Sequence, residues 1–227
     1  MSDHRPFKRD LYEQFARVGK ALASPARLEL LDLLAQAERP VEDLARAADL
    51  TVANASQHLQ VLRQARLVDV RRDGNLRHYR LAGPEAFRVW QSLRDFGESC
   101  VAEVGQLVRT YLQERENLEA ITLEELQARL GDVLILDVRP EIEYEAGHIP
   151  GARSVPVEQL ETLLPDLPQD TTIVAYCRGP YCVYSDEAVS LLREKGYDAR
   201  RLVAGLPDWK AAGLPVDGGA AHRLERA

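Results

Sequence analysis

Residues 41–81 read VEDLARAADLTVANASQHLQVLRQARLVDVRRDGNLRHYRL, and three local signals in that run decide the fold of the N-terminal half. Val41 to Ala48 has the apolar spacing of a short helix, Leu50-Thr51 is a turn, and Val52 to Ala65 is a second helix with Leu59 and Leu62 on its buried side. Two short helices joined by a tight turn make a helix-turn-helix. Downstream, Leu67-Val-Asp-Val-Arg-Arg and Leu76-Arg-His-Tyr-Arg-Leu flank Asp73-Gly74-Asn75. That pattern predicts a two-stranded hairpin, placed where a wing follows the second helix.

Upstream, Leu11, Phe15, Val18 and Leu22, then Leu28, Leu31 and Leu34, recur at helical spacing. Ser24-Pro25 marks a break between two helices, with Ser as the cap and Pro in the first turn. After the wing the pattern predicts one long helix from Pro84 to Asn117, in which Trp90, Leu93, Gly97, Cys100, Val104, Leu107 and Tyr111 step by three and four residues. Such a stripe either packs on its own domain or forms a seam with a partner helix. The helix outlasts the small domain it would cover, which favours a homodimer. Cys100 lies on the stripe and is expected there as a small core residue.

Beyond Leu118 the pattern becomes α/β. Leu123 to Leu130 reads as helix, Val133 to Val138 and Thr172 to Tyr176 as strands buried on both faces of a parallel sheet, Asp186 to Lys195 as a helix closed by Gly196, and Ala199 to Val203 as a further strand. The expected fold class is therefore two domains: a mainly α winged helix-turn-helix over residues 1–117, and an α/β parallel-sheet domain over 118–217. Residues 218–227 are expected to form a mobile tail.

Bulk properties agree with two domains: the chain has 227 residues, is 45% hydrophobic and 29% charged. No apolar run approaches the roughly 18 residues that span a bilayer, and the first residues lack the apolar core of a secretory signal. No membrane partner is expected, and the expected compartment is the cytoplasm. In that reducing setting three cysteines do not make a disulfide framework, so Cys177 and Cys182 read as catalytic, redox-active or metal-binding. The net charge of −7 argues against nucleic acid for the chain as a whole. Locally the sign reverses: from Thr51 to Ala82 six arginines (Arg63, Arg66, Arg71, Arg72, Arg77, Arg80) face only Asp69 and Asp73.

The start of the second helix carries Thr51, Asn54, Ser56, Gln57 and His58. In a helix-turn-helix these residues meet base edges in the major groove, where Asn and Gln can make paired bonds to adenine. Arg71, Arg72 and Arg77 around the tight turn are placed to contact phosphates or enter a minor groove. Alone the polar helix face would read as merely solvated; beside the arginine-rich wing it reads as a contact surface for a double-stranded DNA operator.

Three segments then carry a resemblance: Ala23-Ser-Pro-Ala-Arg-Leu-Glu-Leu-Leu, Ala53-Asn-Ala-Ser-Gln-His-Leu-Gln-Val-Leu-Arg-Gln-Ala-Arg-Leu-Val, and Arg72-Asp-Gly-Asn-Leu-Arg-His-Tyr-Arg-Leu. In this order and spacing they resemble the ArsR/SmtB winged-helix repressors over about residues 10–115. The resemblance implies a homodimer that leaves its operator when an inducer is sensed. Many such repressors sense metals through Cys pairs near the first helix of the motif or Asp/His sets on the dimer helix. Arg39 to Leu44 holds no Cys and the long helix holds one Cys and no His, so no metal site and no cofactor is expected.

In the second half, Leu136-Asp-Val-Arg-Pro-Glu141 through Tyr144-Glu-Ala-Gly-His148-Ile-Pro-Gly-Ala-Arg, then Val174-Ala-Tyr-Cys177-Arg-Gly-Pro-Tyr-Cys182-Val, then Gly205-Leu-Pro-Asp-Trp209 resemble the three motifs of rhodanese domains over about residues 118–216. Cys177 follows a buried strand and precedes a helix, so loop amides and a helix N-terminus favour its thiolate and make it a nucleophile; the alternative is a buried inert cysteine. In rhodaneses the loop amides, here including Gly179, also cradle a persulfide. Arg178 either attracts an anionic donor such as thiosulfate or is a surface residue. Pro180 supplies no N–H to that cradle. Cys182 either resolves a persulfide on Cys177 or starts the helix as a small apolar residue. Asp137, Arg139 and His148 match positions that mostly hold the loop framework, and structure is favoured over catalysis for them. The related phosphatases and arsenate reductases end this loop in Arg, where this chain has Val183, which disfavours arsenate or phosphate ester chemistry.

The expected function is a DNA-binding repressor that senses reactive sulfur, with a small donor (thiosulfate, a persulfide or a polysulfide) reacting at Cys177. Two alternatives stand beside it: a rhodanese-type sulfurtransferase with an autoregulatory DNA-binding half, and a protein-docking module without sulfur chemistry.

Overall fold

The computed structural model describes residues 5–112 and 118–218. The expected mobile tail beyond 218 and the last turn of the long helix, residues 113–117, lie outside that range. The chain divides into two compact units between Arg94 and Asp95, and each is built on its own core.

In the first unit α1 (Arg5–Leu22) and α2 (Pro25–Gln36) break where expected, with Ser24 extended before the helix and Pro25 at its first position. The Ser24 side chain makes no capping bond. Arg27 caps instead: its guanidinium donates to the carbonyls of Lys20, Ala21 and Ala23 and closes the end of α1. Next come β1 (Arg39–Pro40), α3 (Val41–Ala47), α4 (Val52–Gln64), β2 (Val68–Asp73), β3 (Leu76–Leu81) and α5 (Pro84–Cys100), which runs through the boundary at Arg94. The hairpin turns through Gly74, at φ +57°, and Asn75, and pairs Arg72 with Arg77. Leu30, Leu44, Leu59, Leu62, Val68 and Tyr79 form the core, each at most 1% exposed. β1 adds an antiparallel edge to β3; two residues carry no periodic pattern, so sequence reading passes over it.

The single long helix expected from Pro84 is interrupted. α5 stops at Cys100, Val101 is extended (φ −106°, ψ 102°), and α6 (Ala102–Tyr111) begins again. Around the break Gly97 lowers helix propensity, Val101 is β-branched, and the Ser99 hydroxyl donates to the Asp95 carbonyl at 2.8 Å, competing with the backbone ladder. Cys100 is an exposed free thiol, which corrects the expectation that it packs in a core. Leu93, Phe96, Leu107 and Tyr111 are likewise exposed, as are Phe7, Leu11 and Phe15 on α1.

The second unit is a five-stranded parallel sheet in the order β4-β8-β7-β5-β6, from β4 (Ala120–Ile121), β5 (Leu134–Asp137), β6 (Arg153–Ser154), β7 (Ile173–Tyr176) and β8 (Ala199–Leu202). The helices are α7 (Leu123–Ala128), α8 (Glu141–Ala146), α9 (Leu160–Leu163), α10 (Tyr184–Glu194) and α11 (Leu206–Ala211). α7 opens with a reciprocal cap between Thr122 and Glu125. α10 closes at Gly196, at φ +87°. Strand alternation divides the core in two: Leu136, Ile173, Ala175 and Cys177 pack with Ala188 and Val189 of α10, while Ile135, Val174 and Tyr176 pack with Leu206 and Trp209 of α11. Cys177 therefore continues β7 onto the α10 face, and Tyr176 points to the other.

Candidate functional site

On the winged unit, α4 buries Ala55, Leu59 and Leu62 and leaves Asn54 and Gln57 exposed, with Ser56 and His58 half-buried. Thr51 sits at the N-cap and its hydroxyl accepts the Asn54 backbone N–H at 3.2 Å, so this side chain sets where the helix starts. The three wing arginines differ. Arg71 donates to Glu38 at 2.7 and 3.0 Å and to Asp73 at 3.1 Å. Arg72 and Arg77 stand opposite each other in the ladder, both exposed, with no ion pair among the described residues. Like charges facing across a strand pair repel, and an anion between them removes the repulsion. Glu38 was not foreseen, because it lies 33 residues from Arg71 and nothing local links them.

On the second unit, the loop from Cys177 to Val183 joins the end of β7 to α10. Cys177 is 1% exposed. Its sulfur is bonded to that of Cys182, with the two Cα atoms 6.2 Å apart. Within the loop the Cys182 N–H donates to the Gly179 carbonyl at 3.2 Å. With Pro180 lacking an N–H, two of the loop's backbone positions are thus turned away from an anion cradle. Arg178 forms a fork on Glu143 of α8, with contacts of 2.6, 2.9 and 3.1 Å, and its guanidinium lies 6.0 Å from the Tyr184 ring. Glu143 is fully buried. The guanidinium expected to draw in an anionic donor is thereby held by a carboxylate.

Asp137 and Arg139, both fully buried, form a second cluster. Arg139 donates to Asp137 Oδ1 at 2.9 Å and to the Gly147 carbonyl at 2.8 Å. The Tyr176 hydroxyl donates to Asp137 and accepts the Ile149 N–H at 3.2 Å. Strands β5 and β7 and the turn at residues 147–149 are locked together by this network. Burial, reinforced by the Asp137 charge, pushes the Tyr176 phenol well above its ordinary value. His148 stacks on Tyr144 at 3.8 Å and its Nδ1 lies 3.0 Å from the Tyr144 carbonyl. Gly205 lies so close to the loop that a Cβ there would collide with the Arg178 carbonyl. The sequence assigns no role to Glu143, Tyr176 or Gly205; Tyr176 and Gly205 carry a signal only as members of the second and last motifs. Among the described residues no His, Cys, Asp or Glu side chains gather in threes as a metal-binding group.

A winged helix with a polar recognition helix, joined in one chain to a parallel α/β unit with a cysteine loop, defines a class: a DNA-binding regulator fused to a rhodanese-like domain. Residues 24–70 match the bacterial regulatory protein, arsR family, and residues 122–212 match the rhodanese-like domain. The HTH-type transcriptional regulator Rv0324 of Mycobacterium tuberculosis is 45% identical over 94% of each chain. The chain belongs to this family of ArsR-type transcriptional regulators carrying a C-terminal rhodanese-like domain. Each half also has relatives of its own. A sulfurtransferase of Allochromatium vinosum is 33% identical over 42% of this chain and 92% of its own length. A transcriptional repressor SmtB homolog of Synechocystis is 37% identical over 38% of this chain and 65% of its own length. No helix among the described residues is long and apolar enough to cross a membrane.

Proposed function

We propose that this regulator is a cytoplasmic homodimeric repressor that binds a double-stranded operator and is switched by reactive sulfur at Cys177. The observation that carries the reading is the disulfide-linked pair Cys177–Cys182 within one short loop at the end of a buried strand. In the reduced protein the Cys177 thiolate attacks the outer sulfur of a donor RSSH, the donor's S–S bond breaks, and RSH leaves with Cys177 carrying the extra sulfur. The Cys182 thiolate then attacks the Cys177 sulfur and expels sulfide. The sum is RSSH plus two thiols giving RSH, H2S and the disulfide. The donor's sulfane sulfur is reduced and the two thiols are oxidised, so no further oxidant is needed. Gly179 shapes the loop, while Asp137, Arg139 and His148 brace the framework beneath it.

Operator contacts are assigned to Asn54, Ser56, Gln57 and His58 of α4, with Thr51 fixing the start of that helix. Arg72 and Arg77 take phosphates, and Arg71 is held against Glu38 and Asp73. The exposed apolar residues of α1 and, separately, those of α6 support contact with a second copy, and a dimer is expected by sedimentation velocity at micromolar concentration. Residues 1–117 then bind DNA and dimerise, and 118–217 sense. Repression finds support in the likeness to the SmtB homolog. The test is a gel shift of reduced protein with and without persulfide: the response is expected in the native chain and absent in Cys177→Ser, and an unchanged response in Cys177→Ser overturns the reading.

The likeness to the Allochromatium sulfurtransferase favours a second reading, an enzyme passing sulfur from Cys177 to a thiol acceptor. Turnover separates the two. Many sulfurs transferred per chain mean the enzyme, while a single uptake ending in the disulfide means the sensor.

A further inference from the structure

The Cys177 loop contains one cation, Arg178, and Glu143 binds it through contacts of 2.6 to 3.1 Å. A fork of this kind on a buried carboxylate is a neutral unit, and it draws the guanidinium toward Glu143. The two helices that flank the loop, α8 and α10, supply no unmatched positive charge. α8 contains Glu141, Glu143 and Glu145 and no Lys or Arg. α10 opens with Asp186 and Glu187, which offset the partial positive charge of its N-terminus. Its only cation, Arg193, is nine residues on, about 13 Å along the axis at 1.5 Å per residue, and pairs with Glu119 at 3.5 Å. Arg201 of β8 reaches the first turn of α10, but 3.6 Å from Asp186. Glu141, Glu145 and Glu187 are exposed. The exposed side chains of the loop itself are apolar: Tyr181 at 38% and Val183 at 40%.

We infer that the donor read by this loop is an organic persulfide of low net charge, and not the thiosulfate dianion; the inference rests on the sulfur-sensing reading above. A dianion arriving here meets the paired Arg178 and the exposed carboxylates of α8 and α10, with no unpaired cation on the loop or on those two helices to replace its lost hydration. An organic persulfide needs no such counter-charge, and its organic part finds apolar side chains.

The test uses the reduced full-length chain and three donors sharing a terminal sulfane sulfur: cysteamine persulfide, cysteine persulfide and thiosulfate. Sulfur delivered to the Cys177 loop is followed by intact mass and by released sulfide. Loading is expected to fall in that order, with thiosulfate at least 100-fold slower than cysteamine persulfide, and the thiosulfate rate is expected to rise with added salt as the repulsion is screened. In Glu143→Gln, which releases the Arg178 charge at constant shape, the ratio of thiosulfate to persulfide loading is expected to rise at least tenfold and the thiosulfate rate to fall with salt. Thiosulfate loading equal to or faster than persulfide loading in the unaltered chain, with a rate that falls with salt, overturns the inference. These measurements on the unaltered chain decide the matter even if Glu143→Gln does not fold. Loading by none of the three, in protein whose reduced thiols alkylate normally, overturns the sulfur-sensing reading itself.

Discussion

Arginine is concentrated in two places in this molecule, and the two use it in opposite ways. At the wing tip, Arg72 and Arg77 face each other in solvent and repel. In and beneath the cysteine loop, Arg178 is held by Glu143 and Arg139 by Asp137, three of the four side chains having no exposure at all. The first arrangement leaves charge available to a partner; the second consumes it in the fold. A guanidinium in water is cheap to leave unpaired, whereas one buried without its carboxylate faces a desolvation penalty of several kcal/mol. Burial therefore decides which arginines can act on a ligand, and residue type does not.

Mutating the two regions should separate them. The largest effect is expected from Asp137→Ala, which strands the Arg139 charge and the Tyr176 hydroxyl: about 3–5 kcal/mol of stability lost from the rhodanese-like unit, read as a lower urea midpoint for that unit. If the variant melts like the parent, the contrast between the regions fails. Next, Asn54→Ala and Gln57→Ala should each cost about 1–3 kcal/mol of discrimination at one base pair with thermal stability held, measured against a panel of single-base operator variants. Smaller again, Arg72→Ala and Arg77→Ala should each weaken binding evenly across sequences and reduce the salt slope by about one. Arg71→Ala should do less to that slope, since Glu38 and Asp73 already neutralise it.

The mildest test alters no residue. Because burial holds the Tyr176 phenol protonated well above the ordinary value, the unfolded chain loses that proton first as pH rises. Stability of the second unit should thus be intact below about pH 10, the ordinary tyrosine value, and decline progressively above it. Tyr176→Phe should flatten that alkaline limb, as followed by chemical denaturation across pH.

The legible parts of the sequence were those set by neighbours along the chain. The helix-turn-helix, the Gly74-Asn75 turn, the Gly196 cap and the buried runs that became β5 and β7 each depend on interactions a few residues long, and each appears where expected. The interruption at Val101 was hidden, because the apolar stripe continues through it and Gly97, Ser99 and Val101 are each compatible with an unbroken helix. The same limit hides the exposure of Cys100: periodicity names a face of the helix, and cannot say what covers that face.

The sequence by itself settled the two-part architecture, the recognition helix and its wing, and Cys177 and Cys182 as the cysteines of a single loop. Only the tertiary structure decided that Arg178 turns inward to a carboxylate 35 residues away, that Arg71 is held by Glu38, and that Gly205 must lack a side chain to admit the Arg178 carbonyl. The physical reason is range. Backbone propensity and periodicity act over a few residues and are written locally, whereas the pairing of a buried charge depends on which segments the sheet brings together.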